Sequence, residues 1–461
     1  MFTVEGPDLG HGASPPSRLE SHMAQHFGPL STVRPGRRTF LKGLAGAAAL
    51  AVSPELLAAC GGGSSSTSGS KGTGSISFGS NYSDASTKAA FAALVKNATA
   101  DTHVDVSVNT VDHNTFQDNI TAYLKGTPDS LCTWFAGYRM QYFAAQGQLA
   151  QLDDVWDTIG ANFNDATKAL SKGLDGHYYF VPIYNYPWVV FYNKSTFNKN
   201  GYTEPKTWDD FVALAKKMKG DGLIPIAFAD KDLWPGLGTF DILNLRINGY
   251  DFHMQLMQGK ADYSDPKVTD VFDKWAEILP YCQSGANGRI WQDAAKALET
   301  KQAGMMFQGT NQVAANYQPA NLPDLDFFVY PEINPTYGQD YMDAPADGFI
   351  MPAKGKNGDS AKKVLEYIGT GPAEQAFLKN DKWDVGLATN IDQSNYDAIQ
   401  KKSAQVIAAC KNVAQFGDRD SDPAMAAALE ALIQKFIENP SASNIKSIQS
   451  SASKQAKSIF G

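Results

Sequence analysis

From residue 75 onward, the chain alternates between two apolar periods, one typical of strands and one typical of helices. Apolar side chains at every second position predict strands, and apolar side chains three or four positions apart predict amphipathic helices. A repeated strand–helix order favours a parallel sheet with helices on its faces. The first predicted elements are a strand at Ser75–Gly79, a helix at Ala85–Asn97, a strand through Val104, Val106 and Val108, a helix capped by Asn114 that carries Phe116, Ile120, Tyr123 and Leu124, and a strand at Ser130–Phe135.

A second set of alternating elements begins near Val189. Asp422 followed by Pro423 predicts a capped helix start, and this helix is expected to run to about Glu438. The other predicted elements are strands at Val189–Tyr192, Ile224–Phe228, Gly304–Phe307 and Leu325–Tyr330, helices at Trp208–Met218, Thr239–Ile247, Val268–Tyr281 and Trp291–Thr300, and a mainly helical region from Ser360.

Length and charge narrow the class of protein. The chain has 461 residues, with 40 Lys and Arg against 48 Asp and Glu, which gives a formal net charge of −8. Nucleic-acid binders present a basic face, so this balance argues against nucleic acid as a partner. A chain of this length exceeds what one hydrophobic core usually supports, so two lobes are expected.

The N-terminal region has the layout of an export signal. Paired arginines, Arg37 and Arg38, precede an apolar run at Gly43–Val52, and small residues then lead to Cys60. The apolar run has only about half of the ~20 residues that a membrane-spanning helix needs. A glycine- and serine-rich stretch follows Cys60, as expected for a flexible tether.

Two parts of this region resemble known signals. The segment Arg37–Lys42 resembles a twin-arginine signal, although Gly36 stands where Ser or Thr is usual, and Leu57–Cys60 resembles a bacterial lipobox. The resemblance implies cleavage before Cys60 and lipidation of its thiol, so that residues 1–59 form the signal and residues 60–74 a linker. An ordinary soluble signal with a chance cysteine is the alternative, and Met23 is a second candidate start.

The remaining cysteines and the motif content predict no metal, cofactor or enzyme chemistry. Cys132 lies in an apolar strand and is expected in the core, whereas a bridge between Cys282 and Cys410 stays open. The motifs HExxH, GxSxG and GxxxxGK[ST] are absent from the sequence. The acidic run Asp418–Asp422 resembles the start of a calcium loop, but Pro423 replaces the required glycine. The run is expected to be a solvated, capped helix entrance, with Asp418 or Arg419 lining the cleft as the alternative.

Five segments taken together resemble one family, the extracellular solute-binding proteins of carbohydrate ABC importers, which includes maltose-binding protein. The resemblance implies an α/β, two-lobed periplasmic-binding-protein-like fold with a hinge and a central ligand cleft. It places lobe 1 at residues 75–186 and 345–386, and lobe 2 at residues 187–344 and 387–461. The segments are Asp129–Gly147, Val181–Phe197, Trp208–Met218, Gly304–Asn311 and Asp347–Pro352.

Aromatic residues near the predicted strand ends and lobe crossings are candidate plates for sugar rings. A neutral sugar presents apolar C–H faces, which aromatic rings can cover. Each of these residues has a core position as its alternative, and Trp134 and Phe135, being adjacent in a strand, point to opposite faces. The candidates are Trp134, Phe135, Tyr138, Tyr184, Tyr186, Trp188, Trp234 and Trp383.

Polar candidates for the hydroxyl groups of a sugar are Asn81, Asp84, Arg139, Asp241, Asn311 and Asp347. Carboxylates and guanidinium groups form strong, charge-assisted hydrogen bonds. Arg139 could instead brace its loop, Asp241 could cap a helix, and Asp347 could brace a crossing. Asn311 stands at a family position that often carries a stacking tryptophan, so a polar contact is expected there.

The resemblance implies a monomeric, non-enzymatic binding lipoprotein on the outer face of the cell membrane. It would capture a sugar or oligosaccharide by lobe closure and deliver it to the permease subunits of an ABC importer, with Cys60 as its membrane anchor. Three alternatives remain: a receptor for a polyamine, peptide or other small solute, a secreted carbohydrate-active enzyme, and a purely structural surface protein.

Overall fold

A computed structural model describes residues 74–461 of the chain. The predicted export signal, Cys60 and almost the whole predicted linker lie outside the described residues. The described residues belong to one compact unit. Within the described part of this unit, no helix is both long enough and apolar enough to cross a membrane.

Seventeen α-helices and twelve strands are found between residues 74 and 461. The helices are α1 (Ala85–Thr102), α2 (His113–Lys125), α3 (Tyr138–Ala145), α4 (Asp153–Ile159), α5 (Asp165–Leu170), α6 (Lys194–Asn200), α7 (Trp208–Gly220), α8 (Trp234–Met257), α9 (Pro266–Ile278), α10 (Trp291–Glu299), α11 (Thr310–Ala314), α12 (Gly358–Ile368), α13 (Gly371–Leu378), α14 (Ala398–Ala409), α15 (Gly417–Asp420), α16 (Pro423–Glu438) and α17 (Ala442–Phe460).

The strands form two main sheets and one small sheet. They are β1 (Ser75–Ser80), β2 (Asp105–Thr110), β3 (Leu131–Phe135), β4 (Phe180–Asn185), β5 (Trp188–Asn193), β6 (Ile224–Ala227), β7 (Ala303–Gly309), β8 (Leu325–Phe328), β9 (Tyr341–Asp343), β10 (Ala346–Ile350), β11 (Val385–Gly386) and β12 (Asn412–Ala414).

The first sheet has the strand order β11-β4-β10-β3-β1-β2. Strands β1, β2 and β3 are parallel, which confirms the predicted strand–helix–strand start, whereas β10 runs antiparallel to β3 and β4. Strand β3 is buried along its whole length, so its carboxyl end delivers the following loop to the middle of the molecule.

The second sheet has the order β6-β7-β5-β8, and a small sheet pairs β9 with β12. The chain passes from the first sheet to the second between Asn185 and Trp188, and it passes from the small sheet back to the first between Asp343 and Ala346. These passages fall at two of the predicted lobe crossings. The lobe boundaries themselves remain a prediction.

Several predicted elements differ from the observed ones at their ends. The helix start predicted at Asn114 is wrong, because Asp112 is the N-cap and its carboxylate accepts a hydrogen bond from the backbone N–H of Thr115. The helix predicted at Thr239–Ile247 is the middle of the longer α8, and the strand predicted to reach Tyr330 ends at Phe328. The Asp422 cap and the end at Glu438 are confirmed for α16.

Candidate functional site

Side chains from both main sheets enclose a narrow cavity in the middle of the molecule, which we call the central cavity. It consists of two small adjoining spaces of about 20 Å³ and about 10 Å³, and His113 and Gln312 line both of them. The lining residues are Asn81, Tyr82, Ser83, Asp84, Thr87, His113, Gln117, Tyr184, Trp234, Trp291, Asn311, Gln312, Asp347, Phe416, Asp418 and Arg419.

Asn81 and Asp84 enter the central cavity from the loop after β1. The Asn81 side-chain oxygen accepts a 2.7 Å hydrogen bond from the hydroxyl of Thr133 in β3, which orients the amide. Its side-chain nitrogen is buried and has no partner among the described residues. This nitrogen is therefore a donor available to a ligand hydroxyl.

A buried network joins β4, β10 and α15 at the floor of the cavity. The Tyr184 hydroxyl donates to Asp347 over 3.1 Å, and Nη1 of Arg419 lies 2.6 Å from the same carboxylate. Nη2 of Arg419 donates to the Tyr186 hydroxyl over 3.2 Å. Arg419 thus links the predicted site residues Tyr186 and Asp347, and Tyr184 joins the same network through Asp347.

Asn311 connects the second sheet to the first. It follows β7, and its side-chain nitrogen donates to Asp384 over 2.9 Å. Its side-chain oxygen accepts a 3.4 Å hydrogen bond from the hydroxyl of Thr87 in α1. The polar contact expected at this position is present, and its partners here are protein groups.

Arg419 is also held between two aromatic rings. Its guanidinium carbon lies 3.8 Å from the ring centre of Phe135 and 5.0 Å from that of Phe416. Stacking on ring faces suits a planar, delocalised cation. Phe135, predicted as a sugar plate, therefore packs against Arg419 and does not line the central cavity.

Asp241 of α8 anchors the short helix α15, which carries Arg419. The carboxylate of Asp241 accepts a 2.7 Å hydrogen bond from the backbone N–H of Gly417, and Asp241 is fully buried. A β-carbon on Gly417 would lie 2.9 Å from that carboxylate, so glycine allows the close approach. Asp241 supports the site without lining it.

Arg139 bridges to α15 from the other side of the cleft. Its Nη1 lies 3.1 Å from Asp418 and 2.9 Å from the side-chain oxygen of Gln117. These contacts agree with the alternative in which Arg139 braces its loop. Its guanidinium pairs with Asp418, which lines the cavity, and Arg139 itself does not line the cavity.

Two tryptophans form the apolar wall of the central cavity. Trp234 and Trp291 both line it, and their rings meet edge to face with centres 6.2 Å apart. Trp188 lies behind this wall and is fully buried, with its ring 5.1 Å from that of Phe416. A β-carbon on Gly238 would touch the Trp188 ring at 2.9 Å, so core packing occupies that tryptophan.

The remaining predicted residues lie away from the central cavity. Trp134 is fully buried among Phe116, Phe135 and Phe143, and Trp383 is buried in the core beside the second sheet. Tyr138 lines a different cavity, which lies between α3 and α8. Packing against neighbouring elements decides which way a strand side chain points. In β3 this packing directs the Trp134 ring into the core.

The electrostatic character of the cavity is acidic but largely compensated. Burial raises the pKa of Asp84 and of Asp347, and the charge of Arg419 opposes this rise at Asp347. Burial, with a contribution from Arg419, lowers the pKa of His113 to about 4, so this imidazole is neutral at pH 7. The lining suits a neutral ligand that is rich in hydroxyl groups and offers no site for an additional anion.

The cysteines between residues 74 and 461 form no disulfide, and no metal site is found among these residues. Cys132 is buried, as predicted, and Cys282 and Cys410 are free thiols, so the bridge between them is not formed. Residues 74–461 contain no group of three or more His, Cys, Asp or Glu side chains suited to hold a metal ion.

Several cavity residues were not among the sequence predictions. Trp291 opens α10 and Gln312 follows Asn311, whereas Arg419 lies in the acidic run where the sequence named Asp418 or Arg419 as an alternative cleft residue. The available signals were the position of Gln312 beside a predicted residue and a cation inside an acidic run. His113 and Thr87 gave no signal, because single polar residues at helix starts are common.

Comparison of the sequence with protein families identifies its relatives. Residues 84–375 match the family described as bacterial extracellular solute-binding protein. A probable sugar-binding periplasmic protein of Rhizobium meliloti is 27% identical over 313 residues, which cover 65% of this chain and 73% of that protein. An ABC transporter extracellular-binding protein of Pyrococcus horikoshii is 28% identical, and the match covers 60% of this chain and 62% of that protein.

Solved structures share the fold over most of the chain. The bacterial solute receptor AcbH, for which an exclusive preference for β-D-galactopyranose is described, is 66% identical with a TM-score of 0.84. The match covers 85% of this chain and all of AcbH. A chitin oligosaccharide binding protein is 20% identical with a TM-score of 0.74, which shows the fold alone.

These comparisons confirm the predicted α/β periplasmic-binding-protein fold and the predicted binding protein, and they do not support the enzyme alternative, because the family consists of non-catalytic solute receptors. The chain belongs to the bacterial extracellular solute-binding protein family.

Proposed function

We propose that this protein is the sugar-binding receptor of an ABC importer and that it captures a neutral hexopyranose, with D-galactose as the first candidate. The central cavity carries the proposal, because it combines an aromatic wall with carboxylate, amide and hydroxyl groups. AcbH, which is 66% identical, supports galactose as the candidate. The sugar-binding relatives in other bacteria support the importer.

Each part of a hexopyranose has a suited partner in this cavity. Trp291 and Trp234 offer ring faces to the C–H groups of the sugar. The unpaired side-chain nitrogen of Asn81 can donate to a hydroxyl, and the carboxylates of Asp84 and Asp347 can accept from hydroxyls. Gln312 can also accept from a hydroxyl, because its side-chain oxygen is buried without a partner among the described residues.

Capture requires the cleft to open and close. The central cavity is about the size of one water molecule and is bridged directly by Arg419–Asp347, Arg139–Asp418 and Asn311–Asp384. We take residues 75–186 with 345–386 and residues 187–344 with 387–461 as the two lobes, which rotate about the crossings near residues 186, 344 and 386. A sugar is larger than the central cavity described here, so it would bridge the lobes in a closed form with a wider cleft, and the permease would bind that form.

The anchoring of the receptor rests on the N-terminal sequence. A twin-arginine signal followed by a lipobox at Leu57–Cys60 would export the folded chain and attach Cys60 to lipid on the outer face of the membrane. The glycine- and serine-rich stretch after Cys60 would let the receptor reach its permease. Mass spectrometry of Cys60 in the membrane fraction tests this part, and an unmodified, released protein would contradict it.

Thermal unfolding of residues 69–461 against a panel of solutes tests the ligand class. A ligand at a hundred times its Kd stabilises the folded state by about 2.7 kcal/mol. We expect stabilisation by D-galactose or a closely related neutral monosaccharide, and none by glucuronate, spermidine or a tripeptide. Stabilisation by spermidine or the peptide alone would contradict the sugar assignment while leaving the fold intact.

A further inference from the structure

Two buried carboxylates, Asp381 and Asp384, lie in the segment that leads from α13 into β11, next to the third proposed lobe crossing. Both side chains are fully buried. Neither forms an ion pair with a residue between 74 and 461. One oxygen of Asp384, Oδ1, is buried and has no hydrogen-bond partner among the same residues. An ionised carboxylate at this place would carry a charge that neither water nor a cation compensates.

A side chain from the other lobe closes over this pair. Nδ2 of Asn311 donates a hydrogen bond to Oδ2 of Asp384 over 2.9 Å. Asn311 follows β7 in the second proposed lobe, whereas Asp381 and Asp384 belong to the first. Neither carboxylate lines the central cavity, so a sugar in that cavity would not displace them. Opening of the cleft withdraws Asn311 and admits water to the pair.

The groups that face the pair from neighbouring elements supply negative charge or none. The nearest charged group is Asp347 of β10, whose own charge is paired with Arg419 over 2.6 Å. Lys382 is exposed and acts on Asp397. The other facing groups are neutral near pH 7. They are Tyr82, Thr87 of α1, Tyr184 of β4, Asn311, Glu374 of α13, whose pKa burial raises well above its ordinary value, Tyr396, and Gln400 of α14.

Burial and mutual repulsion favour a proton on the pair. Burial raises the pKa of Asp381 to about 7, although Thr87 and the backbone of Trp383 oppose part of the rise. Burial, followed by the charge of Asp381, raises the pKa of Asp384 well above its ordinary value of 3.8. Water in an open cleft would return both pKa values towards 3.8. Between the ordinary and the raised values, the closed form therefore holds a proton that the open form has lost.

We propose that lobe closure takes up a proton at the Asp381–Asp384 pair, so that the cleft closes more readily and holds its sugar more tightly as the pH falls. The part that concerns sugar rests on the proposed function. Protons that bind preferentially to the closed form shift the equilibrium towards it. One proton taken up changes the ratio of closed to open protein by up to about tenfold per pH unit.

His113 sets the pH range in which this effect can be isolated. Burial and the charge of Arg419, which lies in the other lobe, lower the pKa of His113 from 6.5 to about 4. Closure therefore releases a proton from His113 below about pH 6.5, which opposes the uptake by the aspartates. Above about pH 6.5, His113 is neutral in both forms, and the aspartate pair acts alone against it.

Small-angle X-ray scattering of residues 69–461 without sugar measures lobe opening at about pH 6.5 and about pH 8.5. We expect a larger radius of gyration at the higher pH. Asp384→Asn retains an oxygen that accepts from Asn311 and has no carboxyl group to titrate, so it should keep the smaller radius at both pH values.

Asp230→Asn is the matched control. Asp230 is also buried, and burial raises its pKa to about 8. Its carboxylate accepts a 2.6 Å hydrogen bond from the backbone N–H of Gly236, which belongs to the same lobe. Opening leaves this contact in place, so Asp230→Asn should respond to pH as the unmodified protein does.

Calorimetry with D-galactose in buffers of different ionisation enthalpy then counts the protons taken up on binding. We expect up to about one proton fewer for Asp384→Asn than for the unmodified protein, and a Kd that rises with pH only when Asp384 is present. An unmodified protein whose radius is the same at both pH values overturns the inference, and so does an equal pH response in Asp384→Asn. A pH-dependent radius that is lost in Asp384→Asn, without galactose binding at either pH, supports the proton uptake and contradicts the proposed ligand.

Discussion

Arg419 and Asp347 form a buried ion pair that joins the second-sheet side of the cleft to the first sheet. Nη1 of Arg419 lies 2.6 Å from Oδ1 of Asp347, and the two side chains are only 5% and 6% exposed. Arg419 belongs to α15, which Asp241 anchors to α8, whereas Asp347 belongs to β10. One pair therefore positions two cavity residues and connects the two halves of the cleft.

Asp347→Asn should both destabilise the protein and weaken sugar binding. Removing one partner of a buried pair leaves an uncompensated charge, which costs about 3–5 kcal/mol. Because Asp347 also lines the central cavity, we expect sugar affinity to fall at least about tenfold. Denaturant unfolding and titration calorimetry measure the two effects.

Asp326→Asn is the matched control for that change. Asp326 pairs with Lys402 over 2.8 Å, but both side chains are about one-third to one-quarter exposed. Exposed pairs contribute about 0–1 kcal/mol, so a small stability loss and unchanged affinity are expected. Equal losses of stability and of sugar affinity in the two variants would show that the buried Arg419–Asp347 pair contributes no more than an exposed pair.

Gly137→Ala should disturb the contact between α3 and α15. Gly137 has a φ of +90°, and an added β-carbon would meet the carbonyl oxygen of Arg419 at 2.7 Å. Gly147→Ala is the control, because Gly147 has a φ of +66° with nothing within 4 Å of its β-carbon position. The backbone strain costs about 1–3 kcal/mol in both variants.

Only Gly137→Ala adds a clash with α15, so it should show the larger fall in melting temperature and the only fall in sugar affinity. Thermal unfolding with and without galactose measures both. If the two variants lose the same stability and keep the same affinity, the close approach of Gly137 to α15 has no role in forming the site.

Trp188 and Trp291 should respond differently to substitution. Trp188 is fully buried behind the cavity wall, so Trp188→Ala should cost about 3–5 kcal/mol of stability. Trp291 lines the central cavity, so Trp291→Leu should weaken sugar binding by about tenfold through loss of a ring face. Unfolding and calorimetry at a temperature where both variants are folded separate the effects. Selective loss of sugar binding in Trp188→Ala, with stability kept, would reverse this assignment.

The stability of the protein should depend on pH through Asp230. Burial raises the pKa of Asp230 to about 8, against an ordinary value of 3.8. A raised carboxyl pKa means that the folded state holds a proton that the unfolded state has lost. The stabilisation from this group is therefore complete below pH 3.8 and is lost as the pH rises towards about 8.

Asp230→Asn should remove this part of the pH dependence. One proton of difference corresponds to a slope of up to about 1.4 kcal/mol per pH unit. Urea unfolding between pH 5 and pH 8, about the window set by the raised pKa, measures the slope. Asp251→Asn, at an exposed position on α8, should leave the slope unchanged. An unchanged slope in Asp230→Asn would show that Asp230 is ionised in the folded protein.

Local patterns predicted much of the fold because its elements follow simple rules. The alternating valines correctly predicted β2. The Asp422–Pro423 pair correctly predicted the start of α16, and the predicted end at Glu438 is also correct. Strand β4 was not among the predicted elements, and it contains Pro182, a residue type that is uncommon inside strands. In the structure Pro182 pairs opposite Gly348 at a shift in register, so a β-bulge accommodates the proline.

The candidate site was less accessible to sequence reasoning, since it depends on the direction of side chains in three dimensions. Asn81, Asp84 and Asp347 were predicted because they follow or occupy strands expected to end at the cleft, and all three line the central cavity. Trp188 has the same kind of sequence context, yet its ring packs into the core against Gly238. Helix α15 has only four residues, too short to leave a periodic pattern, so its central position was not visible.

Titration calorimetry of D-galactose into residues 69–461 tests the central claim most directly. The proposed function predicts saturable binding of one galactose per chain, which is lost or at least about tenfold weaker in Trp291→Leu. Absence of galactose binding, together with binding of no other neutral monosaccharide, would contradict the assignment of the central cavity as a sugar site.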